Sequence, residues 1–336
     1  MRSITLERRK FLLNEIGEFI STKRTMPAWA ILVVLIILGG MSSPFFLKAE
    51  NISNILLQAV ALGIVCIGQT YLILAAGIDL SVGSAISLVS VLSTGMMAGR
   101  NEMILPAVVS MLALGLGIGL INGLIVTRLK VPDFLVTLGM LFILAGTALA
   151  YTPKPAGLVA APFAKIATAS WGPVPAPVVG FAVLVVISTI VLNKTVFGRY
   201  IFAVGGDPEV ARLSGINANR IKLTAYLICG FTAALCGLFV AARTTVGDPT
   251  VGSGYELASI AAVVIGGTSL WGGRGSMVGT IAGVLIMAVL TNLLNMNDVG
   301  SYTQLMIRGA IIILVVSLYE RKRKLLGLAK GQYKVI

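Results

Sequence analysis

The sequence predicts an all-α polytopic membrane protein with about ten transmembrane helices and both termini in the cytosol. Three observations predict it. Of the 336 residues, 57% are hydrophobic and only 12% are charged, where soluble domains carry about 25% charged residues. The apolar residues fall into stretches near 28–47, 52–76, 83–99, 103–127, 131–151, 174–193, 223–242, 256–271, 275–294 and 302–319. Most reach the roughly 17–25 residues that cross a bilayer, while the third and eighth are short. The basic residues collect in alternate connections: 20 fall on the side shared by the termini and 5 on the other, with Arg308 inside the last stretch. That asymmetry places both termini inside.

The chain divides into a tail at 1–27, one transmembrane domain at 28–320 and a basic tail at 321–336. The first 25 residues carry six basic side chains, and no small-residue cleavage site follows the first apolar run, so no cleavable signal is expected. Leu6, Leu13, Ile16 and Ile20 recur at near-helical spacing, which suits an interfacial helix or a disordered basic tail. The net charge of +13 lies mostly in loops and tails. There it sets topology and meets anionic membrane lipid, and it does not point to nucleic acid.

Two junctions between stretches share the form G-x-[D/S]-L-x-x-G, at Gly77–Gly83 and Gly267–Gly273. Glycine-interrupted spans at paired positions predict short or broken helices at 77–83 and 267–273, of the kind that line transport pathways. Asp79 either caps the helix that starts near Ser81 or lines such a pathway. Gln69, Ser81, Asn122, Asn292 and Asn295 are further polar residues in or beside spans. As a set with Gln58, Thr137 and Gln304 they suit a neutral, hydroxyl-rich solute, and singly they suit helix–helix hydrogen bonds. Gly115, Gly119 and Gly123 form GxxxG spacings that permit close helix packing. Glu256 opens the eighth stretch at the outer side and is a candidate ion-pair partner for Arg308, as is Asp298.

The segment 194–222, KTVFGRYIFAVGGDPEVARLSGINANRIK, is the one long basic segment between spans. Gly205-Gly206 breaks the chain, Asp207-Pro208 starts a helix, Glu209 suits its positive end, and Gly215 ends it after Arg212 and Ser214. A short polar helix on an otherwise oily protein reads as a partner-docking element. The outer segment 152–173 is rich in proline and glycine, so it holds no long helix. Tyr151 and Trp171 flank it as interfacial anchors, and it is the landing surface for an extracytoplasmic partner.

Several chemistries are excluded by residue type. The chain has no histidine and no GxxxxGK[ST] phosphate loop. Cys66, Cys229 and Cys236 lie in apolar runs without metal-site spacing. No nucleophile or metal-ligand constellation suggests an intramembrane enzyme.

Three segments together, GQTYLILAAGIDLSVGS, GRYIFAVGGDPEVARLSGINANRIK and GYELASIAAVVIGGTSLWGGRGSMVGT, closely resemble the permease subunit of ribose-type ATP-binding cassette (ABC) sugar importers. The similarity runs in order from about residue 28 to 320. Asp207 stands where asparagine is usual, and Val210 where alanine is usual. The resemblance implies a permease of the bacterial inner membrane that works as a dimer, homomeric or heteromeric. It implies a cytosolic ABC ATPase that docks on the 194–222 segment, and a periplasmic or extracellular sugar-binding protein. ATP and magnesium would belong to the ATPase, leaving this chain without a cofactor or an active site. An ion-coupled secondary carrier is the alternative, and the scarcity of intramembrane charge and lack of histidine weigh against it.

Overall fold

The computed structural model describes residues 25–300 except 173, together with 302–304, 306–307, 309–310, 313 and 317. The expectations for the two tails and for Arg308 lie outside these residues. Seven described helices are long and apolar enough to cross a membrane: α1 (Thr25–Ser42), α2 (Ala49–Leu74), α4 (Asn101–Arg128, opening with a 3-10 turn), α5 (Asp133–Tyr151), α7 (Ala176–Lys194), α10 (Ala218–Thr244) and α12 (Met277–Met296). Three apolar helices are shorter, α3 (Val82–Met97), α8 (Val196–Gly206) and α11 (Tyr255–Ile265). Every apolar stretch predicted up to residue 294 coincides with one of these helices. The last stretch, 302–319, is described only in part.

Burial sorts the helices into layers. The most apolar windows of α2 and α10 are 78% buried, while those of α7 and α5 are 11% and 17% buried. α2 and α10 therefore form the centre of the bundle. The outer helices leave Ile31, Val34, Phe142, Val186 and Ile190 exposed, as side chains facing lipid or another subunit would be. α2 also joins two cores. One is built with α3, α4 and α10 around the fully buried Tyr226, and the other with α1, α11 and α12.

The GxxxG spacing acts as read. A Cβ at Gly115 would stand 2.5 Å from Gly230 O, and one at Gly119 would overlap Tyr226 O, so α4 and α10 touch backbone to backbone. Such contact is the usual means of helix association where lipid removes the hydrophobic drive.

The basic segment contains more helix than predicted. α8 (Val196–Gly206) precedes α9 (Pro208–Leu213), and the Thr195 side chain caps α8 by accepting from Gly198 N. The sequence reading missed α8 because its polar residues masked an apolar face, with Ile201 and Val204 buried. At the opposite end of the bundle the 152–160 segment crosses the helix ends. Ala156 and Gly247 form a β-bridge, and Gly99 N donates to Leu158 O at 2.9 Å. A short helix α6 (Ala161–Thr168) and the two-residue strands β1 (Ser170–Trp171) and β2 (Val174–Pro175) complete that cap.

Candidate functional site

The three segments singled out in the sequence meet at one end of the bundle. α2 ends in a Schellman turn, with Ala76 left-handed at φ 55, Gly77 N donating to Leu72 O and Ala76 N to Ile73 O. One terminal carbonyl of α2 is completed from another junction: Gly273 N donates to Leu74 O at 2.9 Å. Gly205, in the last turn of α8, lies against both. A Cβ there would overlap Leu74 O and stand 2.5 Å from Gly273 N. The exposed segment thus rests, through bare backbone, on the turns that close α2 and open α12.

The two G-x-[D/S]-L-x-x-G junctions share a local device. Asp79 Oδ1 accepts from Ser81 N at 2.7 Å, and Ser269 Oγ accepts from Trp271 N at 3.3 Å. In each, the third residue of the motif binds the N–H two residues on, as Asx and Ser/Thr turns do.

Asp79 is 1% exposed. Its Oδ1 also accepts the Ser81 hydroxyl at 2.6 Å, and Asn122 Nδ2 donates to Ser81 Oγ at 3.0 Å. Gln69 Nε2 donates to the Asp79 carbonyl at 3.4 Å, and Gln69 Oε1 accepts from Cys229 Sγ. Four of the six candidate pathway residues, Gln69, Asp79, Ser81 and Asn122, therefore form one buried network that holds the start of α3 against α2, α4 and α10. Asn292 and Asn295 do not join it. Asn292 exchanges hydrogen bonds with Asn51 at 2.7 and 3.1 Å, and Asn295 accepts from Gln304. Helix–helix bonding is what this second group does.

An ion-pair cluster that sequence reasoning missed clamps the same junction. Lys222, in the first turns of α10, lies 2.8 Å from the Asp133 carboxylate at the start of α5 and donates to Ala76 O at 3.2 Å. The Tyr226 hydroxyl donates to Asp133 at 2.9 Å and lies 3.3 Å from Ile78 O. Thr137 Oγ1 donates to Asp133 O. The signal was present in the sequence as Asp133 opening a span and Lys222 closing the basic segment, but their 89-residue separation hid the pairing.

α9 itself is exposed and well capped. Asp207 Oδ1 accepts from Glu209 N and Val210 N at 2.9 and 3.1 Å. Gly215, at φ 81, ends α9 in a second Schellman turn, with Ile216 N donating to Ala211 O and Gly215 N to Arg212 O. Arg212 Nε donates to Glu209 Oε2 at 3.0 Å across one turn. This hydrogen bond holds the Glu209 carboxyl below its ordinary range and raises the Arg212 guanidinium. A depressed carboxyl keeps the pair intact at neutral pH and loses it only as pH falls below the usual glutamate range.

Glu256 does not open its helix at an outer end, as the sequence suggested. Ser259, one turn on, packs its carbonyl against Cys66 Sγ at 3.7 Å, well past the midpoint of α2. α11 is 11 residues, about 16 Å at 1.5 Å per residue, against a hydrocarbon core of about 30 Å. It is a half-span that begins inside the bundle. Glu256 Oε1 accepts from Gly254 N at 3.0 Å, and its proposed partner Arg308 lies outside the described residues.

A network that only braces a turn should tolerate loss of its charge. Asp79→Asn keeps an oxygen acceptor, so the folded protein should survive with a thermal midpoint within a few degrees of wild type and transport should persist. Asp79→Ala leaves the Ser81 N–H and hydroxyl without their buried acceptor and should cost about 1–3 kcal/mol. Thermal unfolding in detergent with parallel uptake assays checks both.

A bundle of spanning and half-spanning helices, with the exposed, capped helix α9 at one end, defines the class as a multi-pass membrane protein. The chain belongs to the family described as "Branched-chain amino acid transport system / permease component", whose model matches residues 51–316. It is 40% identical to the ribose import permease protein RbsC of Haemophilus influenzae over 91% of this chain and 95% of that one. It is also 40% identical to RbsC of Escherichia coli K12, over 87% and 92%. With the xylose transport system permease protein XylH of E. coli K12 it shares 33% identity, over 85% and 89%. No solved structure matches. The protein is accordingly a multi-pass permease component of a transport system and resides in the bacterial inner membrane.

Proposed function

We propose that this chain forms the membrane path of an ATP-driven monosaccharide importer and receives its driving motion through α9. The relatives supply the solute class. The observation that carries the mechanism is the bare contact of Gly205 with Leu74 and Gly273, which joins the docking segment to the ends of two helix pairs at once. The partners are a second permease subunit, a cytosolic ABC ATPase holding ATP and magnesium, and an extracytoplasmic sugar-binding protein that lands on the 152–173 face. With α9 in the cytosol, motion of the ATPase would push α8 against both junctions. The carboxylate–guanidinium pair on α9 stiffens the element that is pushed.

The test is uptake of labelled pentoses and hexoses into proteoliposomes holding the purified complex, with and without ATP. Uptake driven by an ion gradient alone would support a secondary carrier instead. Arg212→Glu sets two carboxylates one turn apart on α9 and reverses the charge offered to the ATPase. It should leave the spans folded and abolish stimulation of ATP hydrolysis by the binding protein, while hydrolysis by the free ATPase is unchanged. Wild-type uptake in this variant would remove Arg212 from the docking surface.

A further inference from the structure

The half-span α11 creates a cleft that none of the six sequence-predicted pathway residues lines. Its volume is about 330 Å³, and Gln58, Arg243, Ser253, Tyr255 and Thr291 supply its polar side chains. That volume lies in the range of small-molecule sites, about 300–1,000 Å³. We propose that this cleft is a binding station for one neutral monosaccharide on its way through the permease, an inference that rests on the importer reading above.

Depth is the first argument. Gln58 is the tenth and Leu62 the fourteenth of the 26 residues of α2. At 1.5 Å per residue they lie about 14 and 20 Å from the Ala49 end. Arg243 sits in the last turn of α10, and Tyr255 is the first residue of α11. The cleft therefore runs from the end of the bundle opposite α9 to its middle. The segment between α10 and α11 descends to reach that depth and is held there: Gly252 N donates to Ser87 Oγ at 2.9 Å, and a Cβ at Gly252 would overlap Gly83 O. The floor of the cleft is thus built on the start of α3, the element braced by Asp79.

Chemistry is the second argument. A sugar presents hydroxyls that both donate and accept, and C–H faces that do neither. The Gln58 amide and the Ser253 and Tyr255 hydroxyls donate and accept without charge, and Thr291 Oγ1, which donates to Met287 O, can still accept. Leu62, Val251, Ala258, Met287 and Ala288 supply apolar wall. Among the described residues the lining contains no carboxylate and one cation, Arg243, which is exposed at the mouth. The neighbouring Glu256 directs Oε1 to Gly254 N. A site without counter-charge at its base suits a neutral solute. It also suits transit, where binding must be weak enough to release.

The experiment uses the full complex in proteoliposomes with its ATPase and binding protein, and labelled D-ribose and D-xylose as probes. Gln58→Ala and Thr291→Val should each lower sugar moved per ATP hydrolysed by about 10-fold, the effect of one lost hydrogen bond in the transport barrier. Stimulation of hydrolysis by the binding protein should stay within about 2-fold of wild type, since α9 and its contacts are untouched. In parallel, Ser253→Cys should react with a membrane-impermeant maleimide in intact cells and be protected by the transported sugar. The native Cys66, Cys229 and Cys236 are buried and give a low background. Wild-type sugar-to-ATP ratios in both substitutions, or labelling at Ser253→Cys that sugar does not slow, would overturn the assignment. If the wild-type complex itself imports no pentose or hexose with ATP, the importer reading fails instead, and the two failures are distinct.

Discussion

Replacing Gly205 by alanine should abolish transport and sharply reduce the amount of folded protein, while the same change at Gly206 should do neither. The two glycines are adjacent at the end of α8 but meet different surroundings. A Cβ at Gly205 would overlap Leu74 O and crowd Gly273 N, and both are backbone atoms that cannot swing aside. Relief would require α8 to lift from the α2 end or the 272–273 turn to move, breaking the Gly273 N to Leu74 O bond. Overpacking of a rigid site typically costs about 1–3 kcal/mol, and a clash with backbone falls at or above the top of that range. Gly206 is exposed, with nothing within 4 Å of the position of its Cβ. Alanine there should be neutral or stabilising by about 0.4–1 kcal/mol, by restricting the unfolded chain. Size-exclusion yield and thermal midpoint in detergent measure the stability, and ATP-driven uptake measures the coupling. A Gly205→Ala protein as stable and active as Gly206→Ala would show that α8 does not bear on the two junctions.

The spans themselves were legible in the sequence because lipid imposes a simple rule. Twenty apolar residues must be helix when no water satisfies the backbone, and each predicted stretch through residue 294 holds one, the eighth only as far as Ile265. α9 was legible for a similar reason, since Asp207, Pro208 and Gly215 are local signals whose effect needs no distant partner. What the chain did not reveal is where polar residues 50 to 250 positions apart come together. Asn292 and Gln69 looked alike as amides within spans. One bonds Asn51 at one end of the bundle, and the other joins Asp79 and Cys229 in its centre. Glu256 was placed at an outer end because a span was assumed to run the full thickness of the membrane. The descending loop before α11 shortens that helix, and Gly252 packed on Gly83 is a tertiary contact that no local pattern announces. The two glycine junctions were recognisable as similar strings, yet their meeting at Gly205 depends on the whole bundle.

The clamp at Lys222 should be the second site of large effect. Lys222→Met leaves the Asp133 carboxylate with Tyr226 as its hydrogen-bond partner and no cation. Breaking a buried pair from one side costs about 3–5 kcal/mol. Here the side chains are 21% and 19% exposed, so water screens part of the loss and about 2–3 kcal/mol is expected. Removing both charges, Lys222→Met with Asp133→Leu, should recover most of the stability, because no uncompensated ion remains. Coupling should not recover with it. Lys222 lies five residues after the Asn217 cap of α10, and α10 follows α9 directly. Its ammonium holds the Ala76 carbonyl, so any displacement of α9 that tilts the start of α10 pulls on the turn between α2 and α3. The double variant keeps the fold but lets that turn go, since methionine offers the carbonyl no donor. Its thermal midpoint should approach wild type while sugar moved per ATP falls several-fold. A double variant that recovers both stability and transport would make the clamp purely structural. A single Lys222→Met as stable as wild type would show that the ion pair carries no net energy.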